Sequence, residues 1–284
     1  MEKIKLIAID IGGTLITDSN EITDTNLKIL NSVRKKGIKV ALITARMYSS
    51  TKYISHLIGA SYGVFGNGAS IIDLEKMTSL YTDFINVSIL RDLIKFGKKE
   101  RLYVHLNQLF YETSDERKYF AEKHLTLNKN YPLDLKSNIY IVDNLLQNIN
   151  HFNDVIKVIF VSEKNMDNIL EKIKLLFPHI FITEYNKNLY EKAINKTINY
   201  IEVSTTNSNK ADGLCRLINF LNISPDEVLV IGDGDNDIEM FRKFSNSGCL
   251  ANGTEKAKQN AKYVSINTNN DSGVAEIIKK YINE

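Results

Sequence analysis

Short apolar runs alternate with helix-period stretches at the two ends of the chain, and the middle breaks that rhythm. Ile4–Ile9 reads as a buried strand, Asp24–Lys36 as an amphipathic helix stopped by Gly37, Ile38–Ile43 as a second strand, Ser50–Ile58 as a helix stopped by Gly59, and Tyr62–Phe65 as a third strand. The pattern returns near the C-terminus. There the expected order is helix Lys210–Leu221, strand Glu227–Ile231, helix Asp237–Lys243, strand Gly248–Ala251, helix Glu255–Ala261, strand Tyr263–Ile266 and helix Gly273–Ile282. Strands and helices in such alternation predict βαβ units on a parallel sheet.

In the middle, Leu102–Leu106 and Leu109–Thr113 flank the turn residues Asn107-Gln108 and read as an antiparallel hairpin. A charged helix from Asp115, a strand Val155–Val161, a helix Lys164–Leu176, a strand His179–Glu184 and a strand Tyr200–Ser204 follow. The expectation is an α/β fold with a Rossmann-like parallel-sheet core from residues 1–82 and 206–284, interrupted by a separate α+β domain at 83–205.

Composition narrows the field of functions. The chain has 284 residues, 43% hydrophobic and 25% charged, which suits a packed protein of one or two domains. Net charge is +2 and the basic residues are scattered among acidic ones, which argues against nucleic acid as the main partner. Cys215 and Cys249 follow no metal or redox spacing, and the five histidines form no HxH or HExxH pair, so a zinc site would need the fold to assemble it. The first strand follows Met1-Glu2-Lys3, and its apolar stretch carries Lys5 and Asp10. That stretch is too short and too charged for a signal peptide or a membrane span, so the expectation is a cytoplasmic protein with no membrane partner.

Four polar positions recur at one architectural place, the carboxyl end of a core strand or the start of the next helix. They are Asp10 in Asp10-Ile11-Gly12-Gly13-Thr14, Thr44 in Leu42-Ile43-Thr44-Ala45-Arg46, Lys210, and Asp233 in Gly232-Asp233-Gly234-Asp235-Asn236-Asp237. In a parallel sheet those ends share one edge, so a carboxylate, a hydroxyl, an ammonium and a further carboxylate can surround one phosphate. Taken singly, Thr44 reads as an N-cap, Lys210 as a solvated helix-start lysine and Asp10 as a turn residue; the conjunction reverses that preference. Several carboxylates within six residues at a strand end repel one another unless a hard cation joins them. The loop also looks like an EF-hand start, but the glycine and glutamate of the twelve-residue loop are missing and a strand precedes it.

In chain order the four segments resemble the four motifs of the haloacid dehalogenase superfamily. The insert between the second and third resembles the large α/β cap of its Cof-type sugar-phosphate phosphatases. Asn67-Gly68-Ala69 matches the family's "NGA" turn, Asn252 its late substrate-side Asn, and Asp271-Ser272-Gly273-Val274 its C-terminal segment. The resemblance implies that Asp10 attacks phosphorus to form an aspartyl-phosphate while Lys210 and Thr44 hold the phosphoryl oxygens, with Ala45, Arg46, Asn67, Asn236 and Asn252 on the substrate side. It further implies Mg²⁺ bound by Asp10, the backbone carbonyl of Gly12 and Asp233, with Asp237 as ligand or supporting partner. Substrate choice would belong to the cap, and the partners expected are a small phosphorylated metabolite and at most a weak homodimer of a monomeric protein.

One position departs from the family. Its first motif is DxDGT, whose second Asp protonates the leaving oxygen and then deprotonates the attacking water; here that residue is Gly12. Loss of a positioned general acid or base costs about 10²- to 10⁴-fold in rate. Asp18, six residues on, falls in the flap beyond the loop and is not an obvious stand-in. Relatives with alanine or tyrosine at this position include enzymes that hydrolyse phosphonates or carbon–halogen bonds, so Gly12 is compatible with altered chemistry, with a crippled phosphatase, or with a sugar-phosphate-binding protein that does not turn over. Asp-Ile-Gly-Gly-Thr also looks like the first phosphate motif of actin-like-fold sugar kinases. Those need further glycine-rich loops, and this chain has only 14 glycines and a late Asp-rich loop of the phosphatase pattern.

Overall fold

The computed structural model describes residues 4–282, so the reading attached to Met1-Glu2-Lys3 lies outside the described residues. The chain divides into two compact units. Met1–Arg46, Ile54–Tyr81 and Ser208–Glu284 form one, and Met47–Tyr53 with Thr82–Asn207 form the other. The expected insert, 83–205, falls within the second unit, and a short segment, Met47–Tyr53, groups with it.

The N-terminal part runs β1 (Leu6–Ile9), α1 (Asp24–Lys35), β2 (Lys39–Ile43), α2 (Tyr48–Leu57), β3 (Tyr62–Phe65), β4 (Ser70–Asp73) and β5 (Thr78–Thr82). The insert carries α3 (Val87–Lys99), β6 (Tyr103–Gln108), β7 (Glu112–Ser114), α4 (Tyr119–Leu127), β8 (Ile139–Ile141), β9 (Val155–Ser162), α5 (Asp167–Leu176), β10 (Phe181–Glu191) and β11 (Lys196–Ser204). The chain returns with α6 (Lys210–Leu221), β12 (Val228–Gly232), α7 (Ile238–Lys243), β13 (Asn246–Cys249), α8 (Glu255–Asn260), β14 (Tyr263–Val264) and α9 (Gly273–Ile282).

Among the described residues the first unit contains an eight-stranded sheet in the order β14-β13-β12-β1-β2-β3-β4-β5. From β14 to β3 the pairings are parallel, and β4 turns back antiparallel on β3. The strands read as unbroken apolar runs because helices cover each face. Ile7, Ile9, Val40, Leu42, Leu229 and Ile231 face α1 and α9, whose Leu30, Val33, Ile277 and Ile278 complete that core. The alternate residues Leu6, Ala8, Ala41, Ile43, Val228 and Val230 pack on Leu214, Leu217 and Ile218 of α6 and on Met240 and Phe241 of α7. Strand order reverses between β1 and β12: the chain moves outward one way from β1 and the other way from β12. Ligands of open α/β sheets bind in the crevice that such a reversal opens at the strands' carboxyl ends.

The second unit is a six-stranded sheet in the order β10-β11-β9-β6-β7-β8, antiparallel except for β7 beside β8. Val104, Leu106, Val158, Phe160, Ile201 and Val203 form the face that packs against Leu90, Leu93 and Ile94 of α3 and Ile173 of α5. The expected hairpin exists with a shifted turn. Asn107 and Gln108 lie in β6, and the turn is Leu109-Phe110, closed by Gln108 N–H to the Tyr111 carbonyl at 2.9 Å. The reason is side-chain satisfaction: Gln108 donates to Asp154 at 2.9 Å and accepts from Thr113 at 2.7 Å, so a polar residue sits buried in a strand without loss. The charged helix begins at Tyr119 rather than Asp115, and β10 and β11 form a longer hairpin than expected. Three features went unread: α3, β8, and the β4–β5 extension of the core sheet.

Candidate active site

Asp10 follows β1 directly and donates its N–H to the Ile231 carbonyl at 2.9 Å, so the residue is fixed by the strand that carries the other acidic loop. The next five residues make one tight turn, closed by Ile16 N–H to the Ile11 carbonyl at 3.1 Å. Its two glycines differ. Gly13 has φ +71°, and a Cβ there would lie 2.4 Å from Asp233 Oδ2, so glycine is required by conformation and by space. Gly12 has φ −77° and ψ 126°, ordinary for any residue, and a Cβ there would first meet Arg46 Nη2 at 3.8 Å, a normal contact.

Lys210 is the first residue of α6, whose N-cap Asn209 accepts from Asp212 N–H at 2.9 Å. Its ammonium is fully buried and donates to Asp10 Oδ1 at 2.6 Å and to Asp237 Oδ1 at 2.7 Å. Asp237 Oδ2 accepts from the N–H groups of Asp233 and Gly234 at 3.0 and 2.9 Å. Each oxygen of Asp237 is therefore committed inside the protein. Asp233 Oδ1 accepts from the Thr14 hydroxyl. Lys210 thus engages Oδ1 of Asp10 and Thr14 engages Oδ1 of Asp233, which leaves Oδ2 of each as the oxygen offered to the pocket that both residues line.

Burial is the largest influence on Asp10 and raises its carboxyl; Lys210 pulls it down, and Asp237 and Asp233 push it up again. Asp233 is raised as well, by burial first, against the hydrogen bond from Thr14. Lys210 is held charged: burial acts against the ammonium, and the carboxylates of Asp10 and Asp237 more than offset it. Oxygens of Asp10, Asp233 and Asp237 lie within 4.8 Å of one another, three carboxylates around one ammonium. Such an excess of negative charge in a low-dielectric crevice suits a hard divalent cation with oxygen ligands.

Asp10, Gly12, Thr44, Ala45, Arg46, Asp233, Gly234 and Asn236 line one pocket of about 180 Å³. Thr44 is positioned by backbone bonds on either side, its N–H to the Val64 carbonyl at 2.9 Å and its carbonyl from Asn67 N–H at 3.0 Å, and its hydroxyl accepts from Arg46 N–H at 3.1 Å. Two expected substrate-side residues also support the loops of the site. Asn67, in the left-handed region at φ +58°, serves the Thr44 turn through its backbone. Asn252 donates to the Gly13 carbonyl at 2.7 Å and accepts from Asn269 N–H at 2.9 Å, so its amide clamps the loop.

Asp18 is held too. It accepts from Asn270 at 3.0 Å and Asn269 at 3.1 Å, and those bonds, Asn270 first, lower its carboxyl. Asp18 is thus tethered to Asn269 and Asn270, and a carboxyl held down in this way is poorly suited to donate a proton. Sequence reasoning passed over Thr14 and Asn269. The motif itself contained Thr14; Asn269, whose amide also donates to the Ile16 carbonyl at 3.0 Å, had no local signal.

Residues 7–278 match the family model described as haloacid dehalogenase-like hydrolase. A Mycoplasma genitalium protein that carries a phosphatase name without a substrate is 24% identical over 284 residues, spanning 99% of each chain. A Bacillus subtilis protein named 5-amino-6-(5-phospho-D-ribitylamino)uracil phosphatase is 25% identical, over 98% of this chain and 96% of its own. The fold is shared with a haloacid dehalogenase-like hydrolase from Bacteroides thetaiotaomicron, with a TM-score of 0.82 at 22% identity, covering 98% of this chain and 99% of that one.

Proposed function

The chain belongs to the haloacid dehalogenase-like hydrolases, and from that premise we propose that it is a Mg²⁺-dependent phosphohydrolase of small phosphorylated metabolites whose turnover is limited by Gly12. The observation that carries this reading is the constellation at the switch point. Asp10 is gripped by Lys210 at 2.6 Å, with one oxygen open to a pocket rimmed by Thr44 and Arg46. Among substrates, sugar and sugar-alcohol phosphates rank first, in keeping with the ribityl phosphate in the name of the Bacillus subtilis relative. Selection among them is assigned to the insert, since the groups on the core pocket suit the phosphate itself.

In this reading Asp10 Oδ2 attacks phosphorus, forming an acyl-phosphate bond as the bond to the leaving oxygen breaks. Lys210 opposes the effect of burial on the Asp10 carboxyl and so favours its ionised form, and with the Thr44 hydroxyl it offsets the charge of the phosphoryl oxygens. Asp237 acts through Lys210 and the Asp233 loop, which it positions. Mg²⁺, held by the open oxygen of Asp233, by the Gly12 carbonyl and by the Asp10 oxygen that does not attack, would supply charge neutralisation of the transferring group. Water then attacks phosphorus and frees Asp10. At neither step does position 12 give or take a proton, which leaves basic alkoxide leaving groups without help.

A second reading, a sugar-phosphate-binding protein without turnover, is favoured by Gly12 alone. One comparison separates the two: steady-state hydrolysis of a panel of sugar phosphates by this chain and by Gly12→Asp, with Mg²⁺ or excess chelator. The expected result is a gain of about 10²- to 10⁴-fold for Gly12→Asp, the usual worth of a positioned acid/base, abolished by chelator. Binding of sugar phosphates by calorimetry, with no turnover by either protein, would favour the second reading. The sugar-kinase alternative has no place in this family.

A further inference from the structure

The insert holds a buried cluster that the chemistry above does not use. His105 on β6, Glu112 on β7 and His124 on α4 bring two imidazole nitrogens and a carboxylate together, with their ligand atoms within 4.8 Å of one another. His105 Nε2 at 2.7 Å and His124 Nδ1 at 2.6 Å converge on the same oxygen, Glu112 Oε2. The other oxygen accepts from the Ser49 hydroxyl. Behind His105, Nδ1 lies 2.9 Å from the Tyr103 hydroxyl, which also accepts from Ala121 N–H at 3.2 Å. His105 and Glu112 are fully buried and His124 is 8% exposed.

A carboxylate at such depth needs opposing charge or strong donors. Among the described residues its ionic partners are the two imidazoles, with no lysine or arginine. Burial alone would raise the Glu112 carboxyl; His124 foremost, then His105, outweigh it and hold it well below the usual range.

We propose that His105 Nε2, Glu112 Oε2 and His124 Nδ1 form a binding site for a borderline divalent cation of the Zn²⁺ class. Two imidazoles and one carboxylate are a donor set that zinc accepts, and one that a hard ion such as Mg²⁺ does not choose over an all-oxygen site. The surroundings suit ligation, because metal-bound carboxylates and histidines are themselves held by outer partners. Ser49 occupies Oε1 and leaves Oε2 to the ion. When the ion binds, His105 ligates through Nε2 as the tautomer whose Nδ1–H donates to the Tyr103 oxygen and His124 ligates through Nδ1 as its Nε2–H tautomer, the protons both nitrogens had turned toward Glu112 passing to the opposite ring nitrogen by way of solvent. The ligands come from two adjacent strands and a helix, so the ion would pin α4 to the β6–β7 hairpin and add its binding free energy to the stability of the insert.

The test uses the full chain, stripped with chelator and then saturated with Mg²⁺ so that the oxygen-rich site is filled. Zn²⁺ is titrated by calorimetry and Co²⁺ by visible absorption. We expect one equivalent of Zn²⁺, the intense absorption of low-coordinate, nitrogen-ligated cobalt, and a melting temperature that rises with Zn²⁺. His124→Gln keeps an N–H donor for Glu112 and should weaken Zn²⁺ by at least about 100-fold, while Tyr103→Phe should weaken it by about 10- to 100-fold, the usual worth of an outer partner. No Zn²⁺ equivalent in the Mg²⁺-saturated chain, or equal Zn²⁺ affinity in that chain and in His124→Gln, overturns the proposal and leaves a hydrogen-bonded core network. Should His124→Gln fail to fold, the stoichiometry, the cobalt spectrum and the Zn²⁺-dependent melt of the unsubstituted chain decide alone.

Discussion

Gly12 and Gly13 are neighbours in one turn, and the backbone demands only the second. At Gly13, φ is +71° and a Cβ would lie inside contact distance of the Asp233 carboxylate; at Gly12 the backbone is ordinary and the space above it is open as far as Arg46 Nη2 at 3.8 Å. Gly13 therefore answers to folding and to the placing of Asp233. Gly12 answers to neither. In the proposed reading its effect is chemical, since glycine has no transferable proton to offer and the space at its Cβ is open. Two identical residues in one motif can thus be there for unrelated reasons, and the local geometry tells them apart.

The comparison rests on the turn being the reactive centre, and the largest effect tests that premise. Asp10→Asn removes the proposed nucleophile and should reduce hydrolysis of an aryl phosphate by on the order of 10⁴-fold or more, with the fold kept, as read by steady-state rates beside far-ultraviolet dichroism. Retained hydrolysis would move the chemistry elsewhere and empty the comparison. Gly13→Ala comes next. The left-handed backbone alone costs an alanine about 1–2 kcal/mol, and the displaced Asp233 should take activity down with it; denaturant unfolding and rates together would show this. An alanine tolerated at position 13 would contradict the geometric half of the comparison.

The smallest effect concerns Asp18, the first carboxylate after the loop in sequence. Asp18→Asn should change turnover by less than about twofold and stability by no more than about 0.5 kcal/mol, because Asp18 is an exposed tether to Asn269 and Asn270 rather than an acid. A loss of turnover that grows with the basicity of the leaving group would instead make Asp18 the proton donor and fill the role denied to position 12.

How much of this was legible without coordinates depends on the range over which each residue is determined. The core elements were, because unbroken apolar runs such as Ile4–Ile9 and helix stops such as Gly37 are local signals, and because Asp10, Thr44, Lys210 and Asp233 each sit at a strand end or helix start. Helix α3 was equally readable and was passed over: Asn86 caps it, accepting from Ser88 N–H at 2.9 Å, and Leu90, Leu93, Ile94 and Gly97 follow at helical spacing. The hairpin turn was misplaced because Gln108 is satisfied by Asp154, forty-six positions on, which no local rule contains. The same holds for Asn252, whose partners are Gly13 and Asn269, and for the histidine cluster, whose members are separated in sequence and joined only by the sheet and the helix on it. The freedom of Gly12 was hidden for a further reason: sequence shows which residue stands there, while only φ, ψ and the distance to Arg46 show that another could.

The central claim is that this turn retains the nucleophile and lacks the proton shuttle. Rapid mixing of the chain as it stands with excess aryl phosphate and Mg²⁺ tests it most directly. A phenolate leaves without an acid, whereas the water step has no base at position 12. The account predicts a burst of phenolate close to one per protein molecule, followed by a slow steady state, the mark of a trapped covalent intermediate. Rapid linear release with no burst, together with fast hydrolysis of sugar phosphates by the same chain, would contradict it and show that another group moves the proton.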